Sequence, residues 1–266
     1  MIHHREHFER KPINYKYPNN IWLAVIHTIP SRINRSINTR NTWCQKKYQE
    51  RYGFKCIFVY VKSTVERDGA NDQLMSLNET YHDIYYIEMP GLKEGWFTMQ
   101  QKNIDGFIFA LDAFPNYQYY CRVDDEIVVS VDEVSEFLLS LKETNVVLGR
   151  LYSHAPGLTV GAKYYDPLAS CLRRYYTFPS GCFSIFSKNI TKFLASWDNY
   201  YRIAPSSLED PGMGNFIYKY AQTEKVKVHL YQTIDWGYRF YHVDVGTLGQ
   251  LEGWKKLLNS NERLRI

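Results

Sequence analysis

The chain has no long apolar stretch. None of its 266 residues belongs to a run approaching the ~18 consecutive apolar residues of a membrane-crossing helix. The opening residues, with His3, His4, Arg5, Glu6 and Lys11, lack the apolar centre of a signal peptide. As written, the sequence carries no address and reads as soluble. It also lacks any CxxC pair or zinc-ligand spacing: the five cysteines (Cys44, Cys56, Cys121, Cys171, Cys182) leave room for one or two disulfides and require none. Charge of one sign is scarce as well. A net charge of +4 excludes the dense basic surface of a nucleic-acid protein while suiting a phosphorylated ligand. There is no internal repeat and no low-complexity linker.

What is present is an ordinary globular composition, 45% apolar and 23% charged, in a chain long enough for a large core. Aromatics make up 16%, led by 23 tyrosines, and sugar-binding clefts use such rings, although most serve in cores. Three sequons, at Asn34, Asn78 and Asn189, are close to what chance supplies in an Asn-rich chain.

Residues 1–20 are polar and read as a lead-in. Strand and helix then alternate. Ile21–Thr28 is a buried strand, 33–52 a helix closed by Gly53, and Phe54–Val61 a second strand. Residues 62–78 read as a charged surface loop, and His82–Glu88 as a third strand. A helical face runs through Phe97, Ile104, Phe107, Ile108 and Leu111. Residues 117–123 form a central strand, followed by a helix from Asp132 and a short strand at 146–149. This rhythm predicts an α/β fold, a mostly parallel central sheet with helices on both faces. Residues 151–180 read as a long shaped loop, with short helices over 188–197 and 211–220 and a last strand over 226–231.

The most informative stretch is Tyr119–Val129 (YYCRVDDEIVV). Three adjacent carboxylates, Asp124, Asp125 and Glu126, follow a strand whose end faces the crevice where open α/β sheets bind ligands. Acids this close repel unless a cation or donors compensate them. Oxygen ligands suit a hard divalent ion such as Mg²⁺ or Mn²⁺, which also holds a diphosphate. The plainer reading of such acids is a solvated turn or helix cap.

Four stretches together resemble the β1,3-glycosyltransferase superfamily that contains Fringe, core 1 galactosyltransferase and the β1,3-galactosyltransferases. Val25–Trp43 (VIHTIPSRINRSINTRNTW) is similar to its first strand, basic loop and helix. Tyr120–Val129 is similar to its aromatic strand and Asp-Asp-Asp turn, Phe178–Ser187 (FPSGCFSIFS) to its Ser-Gly strand, and Leu208–Gly214 (LEDPGMG) to its Glu-Asp motif. The match runs in order from about 21 to 242. It implies one GT-A domain over 21–266, a nucleotide-binding half over 21–150 and an acceptor-binding half over 151–266. It also implies an inverting transfer of a hexose, galactose or N-acetylglucosamine, from a UDP-sugar to a glycan or glycoprotein acceptor, forming a β1,3 linkage, with Mn²⁺ or Mg²⁺ as cofactor. Relatives are Golgi-lumenal with an N-terminal anchor that this chain does not show.

By the same resemblance, Asp210 is the base that takes the acceptor's proton, its pKa raised by Glu209 and partial burial. Asp210 before Pro211 also reads as a helix cap and first helical residue. Glu126 is the direct metal ligand, with Asp124 beside it and Asp125 facing the donor. The family has aspartate where Glu126 stands, so the carboxylate is displaced by about one bond length. His242 completes the metal set, with His229 second, although a histidine amid aromatics is commonly a core residue. Arg35 binds the diphosphate, with Arg32 or Arg40 as substitutes. Thr42 and Trp43 are packing residues, and Ser180 and Gly181 turn at the acceptor cleft. Two other readings stand beside this one: a degenerate nucleotide- or glycan-binding relative, with Glu126 marking lost catalysis, and a metal-dependent nuclease, which the missing basic face disfavours.

Overall fold

A computed structural model describes residues 2–3, 10–89, 92–95, 98–153, 165–166, 175–196, 198–199, 208–232, 240–242 and 246–261, without the side chains of 2–3 and 240–249. The strands are β1 (Ile2–His3), β2 (Trp22–His27), β3 (Phe54–Val61), β4 (Ile84–Ile87), β5 (Tyr119–Asp124), β6 (Ile127–Val129), β7 (Val146–Tyr152), β8 (Phe178–Ser187), β9 (His229–Gln232) and β10 (Phe240–His242). The helices are α1 (Ile33–Asn41), α2 (Lys46–Tyr52), α3 (Lys62–Arg67), α4 (Asn71–Tyr81), α5 (Met99–Ala113), α6 (Val131–Ser140), α7 (Lys188–Leu194), α8 (Glu209–Thr223) and α9 (Gly246–Ser260).

Eight strands form one sheet in the order β1-β9-β7-β8-β5-β2-β3-β4, and β8 alone among them runs against its neighbours. A second ribbon pairs β10 with β6. β2, β3 and β5 read as near-continuous apolar runs because both faces are covered. On one face, Trp22, Phe54 and Trp43 stack and pack with Val134 and Phe137 of α6 and Trp254 of α9. On the other, α5, α7 and α8 bring Ile104, Phe107, Ile190, Met213 and Phe216 against Val25, Tyr120 and Phe186. Each such side chain fully removed from water stabilises the fold by roughly 1.5–3 kcal/mol.

Three local differences from the sequence reading have clear causes. The 33–52 helix is two helices. Thr42 turns back to bond the carbonyl oxygens of Asn38 and Thr39, ending α1, and Trp43 swings inward to donate to the Ile127 carbonyl (2.9 Å). The charged 62–78 segment is helical: Val65 and Leu74 are its fully buried anchors, too few to show an apolar stripe amid the charges. β8 begins at Phe178, inside the stretch read as loop, because Phe178 and Pro179 pair with Tyr152 and Leu151. Gly53 does close α2, in the left-handed conformation (φ 66°). Within the polar first twenty residues, Tyr17 is buried and donates to Glu136 Oε1 (2.7 Å), and the backbone of Ile2–His3 pairs with β9.

Cys44 and Cys56 form a disulfide that ties the α1–α2 turn to β3, and both are buried. The link closes a short loop, so loss of it releases chain entropy mainly in the unfolded state. Cys56→Ser is expected to lower the unfolding free energy by about 2–4 kcal/mol in a urea titration.

Candidate active site

The acidic turn sits where β5 leaves the sheet. Asp124 is the last residue of β5, level with His27 at the end of β2. Asp125 and Glu126 make the turn into β6. Two of the three carboxylates are met by guanidinium groups from the segment after β2. Arg35 Nη1 donates to Glu126 Oε2 (2.5 Å) and Asp125 Oδ1 (3.3 Å), and Arg32 lies 3.6 Å from Asp125. Asp125 is 1% exposed and also accepts from the Thr28 hydroxyl (2.7 Å). Burial pushes its pKa up against the pull of Thr28 and the arginines. Arg40, the other candidate for a diphosphate, is committed elsewhere: its guanidinium pairs with Asp83 and lies over Phe58.

The third carboxylate, Asp124, belongs to a different group. Side chains alternate along β5, so Arg122 and Asp124 share the face covered by α5 and α8. Arg122, 3% exposed, reaches Asp124 Oδ1 (3.1 Å) and both oxygens of Glu209 (2.9 and 3.0 Å) through Nη2, and its Nε donates to Asn103 Oδ1 (3.3 Å). Asn103 in turn donates to Glu209. Arg122 was not singled out by the sequence reading. Its signal was an arginine two residues before an aspartate in a buried strand, which demands a partner. Removing it alone would strand buried carboxylates, at roughly 3–5 kcal/mol.

Asp210 joins this group from 86 to 88 residues further along the chain than Asp124 and Arg122, carried by the first turn of α8. Helix α8 begins at Glu209 with Leu208 before it, so Asp210 is not the helix cap. Its carboxylate accepts a backbone hydrogen bond from Gly181 instead. A Cβ on Gly181 would overlap Asp210 Oδ1 and lie 2.5 Å from Arg122 Nη1, so glycine alone permits this approach. Burial raises the pKa of Asp210; Arg122 and the Gly181 N–H oppose the shift, and Asp124 adds to it. The repulsion between the adjacent acids falls on Glu209, whose pKa is also raised, first by burial. Asp210 and Asp124 of the acidic turn therefore lie around one guanidinium, that of Arg122.

The remaining candidates divide. His229 lies at the opposite edge, where β7 and β9 begin, 3.9 Å from Glu143. It is not part of this group. The backbone of His242 pairs with Ile127, next to Glu126, but its side chain lies outside the described residues. Among the described residues no three His, Cys, Asp or Glu side chains converge as a metal cluster. The donor chemistry of the turn nonetheless fits a hard divalent ion: carboxylate oxygens that already draw two guanidinium groups to themselves. Thr42 and Trp43 are buried packing residues, and Ser180 bonds Cys182 (3.3 Å).

A mostly parallel sheet with one reversed strand, an acidic turn at the carboxyl end of a central strand and a second acid delivered by a following helix make the α/β architecture of the GT-A fold. Residues 34–226 match the Galactosyltransferase family, and the chain belongs to it. It is similar to the human lactosylceramide 1,3-N-acetyl-beta-D-glucosaminyltransferase, 22% identical over 173 residues, which span 62% of this chain and 43% of that protein. The chain thus matches less than half the length of that curated relative. Among solved structures it is similar to a glycosyltransferase involved in glycosylation of the PBCV-1 major capsid (10% identity, 88% of this chain, 99% of that one, TM-score 0.44). It is also similar to core-mannan synthase A of Aspergillus fumigatus (11% identity, 91% and 82%, TM-score 0.47). Likenesses of that order say nothing of ligand or reaction.

His27 offers a test of the electrostatics. It is 4% exposed, neither ring nitrogen has a hydrogen-bond partner, and Lys102 and Arg122 lie near. Burial, then these two cations, hold its pKa well below the usual value. The native ring stays neutral where the unfolded chain's histidine protonates, so stability is complete above pH 6.5 and falls as pH drops below it. His27→Leu is expected to flatten that fall by up to about 1.4 kcal/mol per pH unit, read from urea midpoints between pH 7.5 and 5.

Proposed function

We propose that the chain is an inverting, metal-dependent hexosyltransferase that moves galactose or N-acetylglucosamine from a UDP-sugar to a hydroxyl of a glycan acceptor, forming a β1,3 linkage. The observation that carries this is the approach of Asp210 to the β5 acidic turn: Arg122 pairs with Asp124 and with Glu209, the residue next to Asp210, and Gly181 lies against both Asp210 and Arg122. The named reaction of the human relative, a 1,3-linked N-acetylglucosaminyl transfer, supports the linkage and one of the two sugars.

In this reading the acceptor oxygen attacks the anomeric carbon while the bond from that carbon to the diphosphate breaks. The hydroxyl proton passes to Asp210, whose raised pKa brings it closer to useful basicity, and UDP departs with the bonding electrons. Glu126 and Asp124, with His242 at the neighbouring register, would hold Mn²⁺ or Mg²⁺. The ion would supply positive charge to the leaving diphosphate. Asp125, fixed by Thr28, orients the donor side of the turn. Arg35 gives up Glu126 when the nucleotide arrives and pairs with phosphate oxygens, a match its fork geometry favours. The buried Cys44–Cys56 disulfide favours an oxidising lumen as the working compartment. No described helix is long and apolar enough to cross a membrane.

A second reading has its own support. Arg35 already neutralises Glu126, which suits a relative that binds nucleotide or glycan without turnover. The two are separated by incubating the chain with UDP-hexoses, Mn²⁺ and a panel of glycan acceptors, while UDP binding is followed by calorimetry. Transfer that Asp210→Asn lowers by about 10²–10⁴-fold at unchanged UDP affinity supports the enzyme. UDP binding with only background turnover supports the degenerate relative.

A further inference from the structure

We propose that Arg122 is a positioning residue for the transfer: it holds the Glu209–Asp210 pair at a fixed separation from Asp124, so that the base and the donor side of the pocket keep register. The inference rests on the reading of Asp210 as the base.

Three elements meet on this one guanidinium. Its own strand supplies Asp124, the first turn of α8 supplies Glu209, and α5 supplies Asn103, which closes the ring by bonding Arg122 and Glu209 at once. A lysine could place the charge there but not the fork, since its ammonium is a point and the bonds run in divergent directions from Nη2 and Nε. The guanidinium is also held under constraint. Nη1 is buried without a hydrogen-bond partner and is pressed toward Gly181, whose backbone N–H serves Asp210. Asp210 has no ion pair of its own with Arg122; its place is set by the next-door Glu209 and by Gly181. Displacing the ring would shift Asp210 relative to the turn, and an error of about 1 Å in such geometry costs about 100-fold in rate.

The test compares Arg122→Lys, the charge-matched double variant Arg122→Met/Glu209→Gln, Gly181→Ala and Asp210→Asn with the wild type. Each is read by acceptor kcat and KM, by UDP–Mn²⁺ affinity from calorimetry and by thermal melting. The double variant removes one charge of each sign, which guards the fold. It is expected to stay folded at the assay temperature, with a melt lowered by the loss of Arg122 beside Asp124 and Asp210, and to bind UDP as the wild type does, yet to lose about 100-fold in kcat with acceptor KM little changed. Arg122→Lys is expected to lose about 10-fold, and Gly181→Ala, which changes no charge, to lose kcat in the same way. A double variant with wild-type kcat overturns the proposal, as does a kcat loss that merely follows lost UDP binding. If Asp210→Asn is inactive while the double variant works, the positioning role alone falls. Wild-type kcat in Asp210→Asn removes the base reading and this proposal with it.

Discussion

Five carboxylates crowd one edge of the sheet, and the structure depends on how their repulsion is compensated. Asp124, Asp125 and Glu126 lie in succession, and Glu209 and Asp210 are brought to them by α8. Two guanidinium systems answer them. Arg35 and Arg32, on the segment after β2, serve the outer pair, whereas Arg122, rooted in β5 itself, serves the inner group. The outer system is partly open to solvent, with 18% exposure at the Arg35 side chain and 48% at Arg32, whereas the inner one is sealed at 4%. Exposed guanidinium groups can leave for a phosphate at modest cost, because water screens the charge they uncover. The sealed one cannot. A division follows between a more exposed set of counter-charges on the outer pair and a sealed one on the inner group.

Much of this was legible in the residues. The apolar runs at 21–28, 54–61 and 117–123 predicted three strands, and these became the parallel centre β2, β3 and β5. The acids at 124–126 announced themselves because three adjacent charges after a buried strand need an explanation. Asp210 was harder. Local sequence offered it two roles, and the helix, starting two residues earlier than Pro211, removed the cap. Arg122 escaped because nothing nearby in the chain reveals its partners: Asn103 precedes it by 19 residues and Glu209 follows it by 87. The split of 33–52 was hidden for a similar reason, since Trp43 is drawn inward by Ile127, far away in sequence. The helices at 62–81 were hidden differently, by charged surfaces that outnumber their few buried anchors.

The aromatic cluster beneath the turn links the fold to the site. Trp43 bonds the Ile127 carbonyl just after Glu126, and Gln250 of α9 donates to the Asp125 carbonyl (2.6 Å). Both fix the backbone of the acidic turn from the face opposite Arg122. The turn is thus held by its main chain from one side and by its side chains from the other. Its carboxylates keep their aim without a tight strand partner of their own.

The reversed direction of β8 has a bearing on how such a chain can diversify. Because β8 runs backwards, its beginning rather than its end lies beside the carboxyl end of β5, next to the acidic turn. Tyr152 packs against Phe178 where β7 and β8 part, and the Tyr175 hydroxyl bonds Asp166 (3.0 Å) within the connection. A longer connection between the two strands would cost little in loop entropy. Change in that connection is thus uncoupled from the pairings that set the acidic turn.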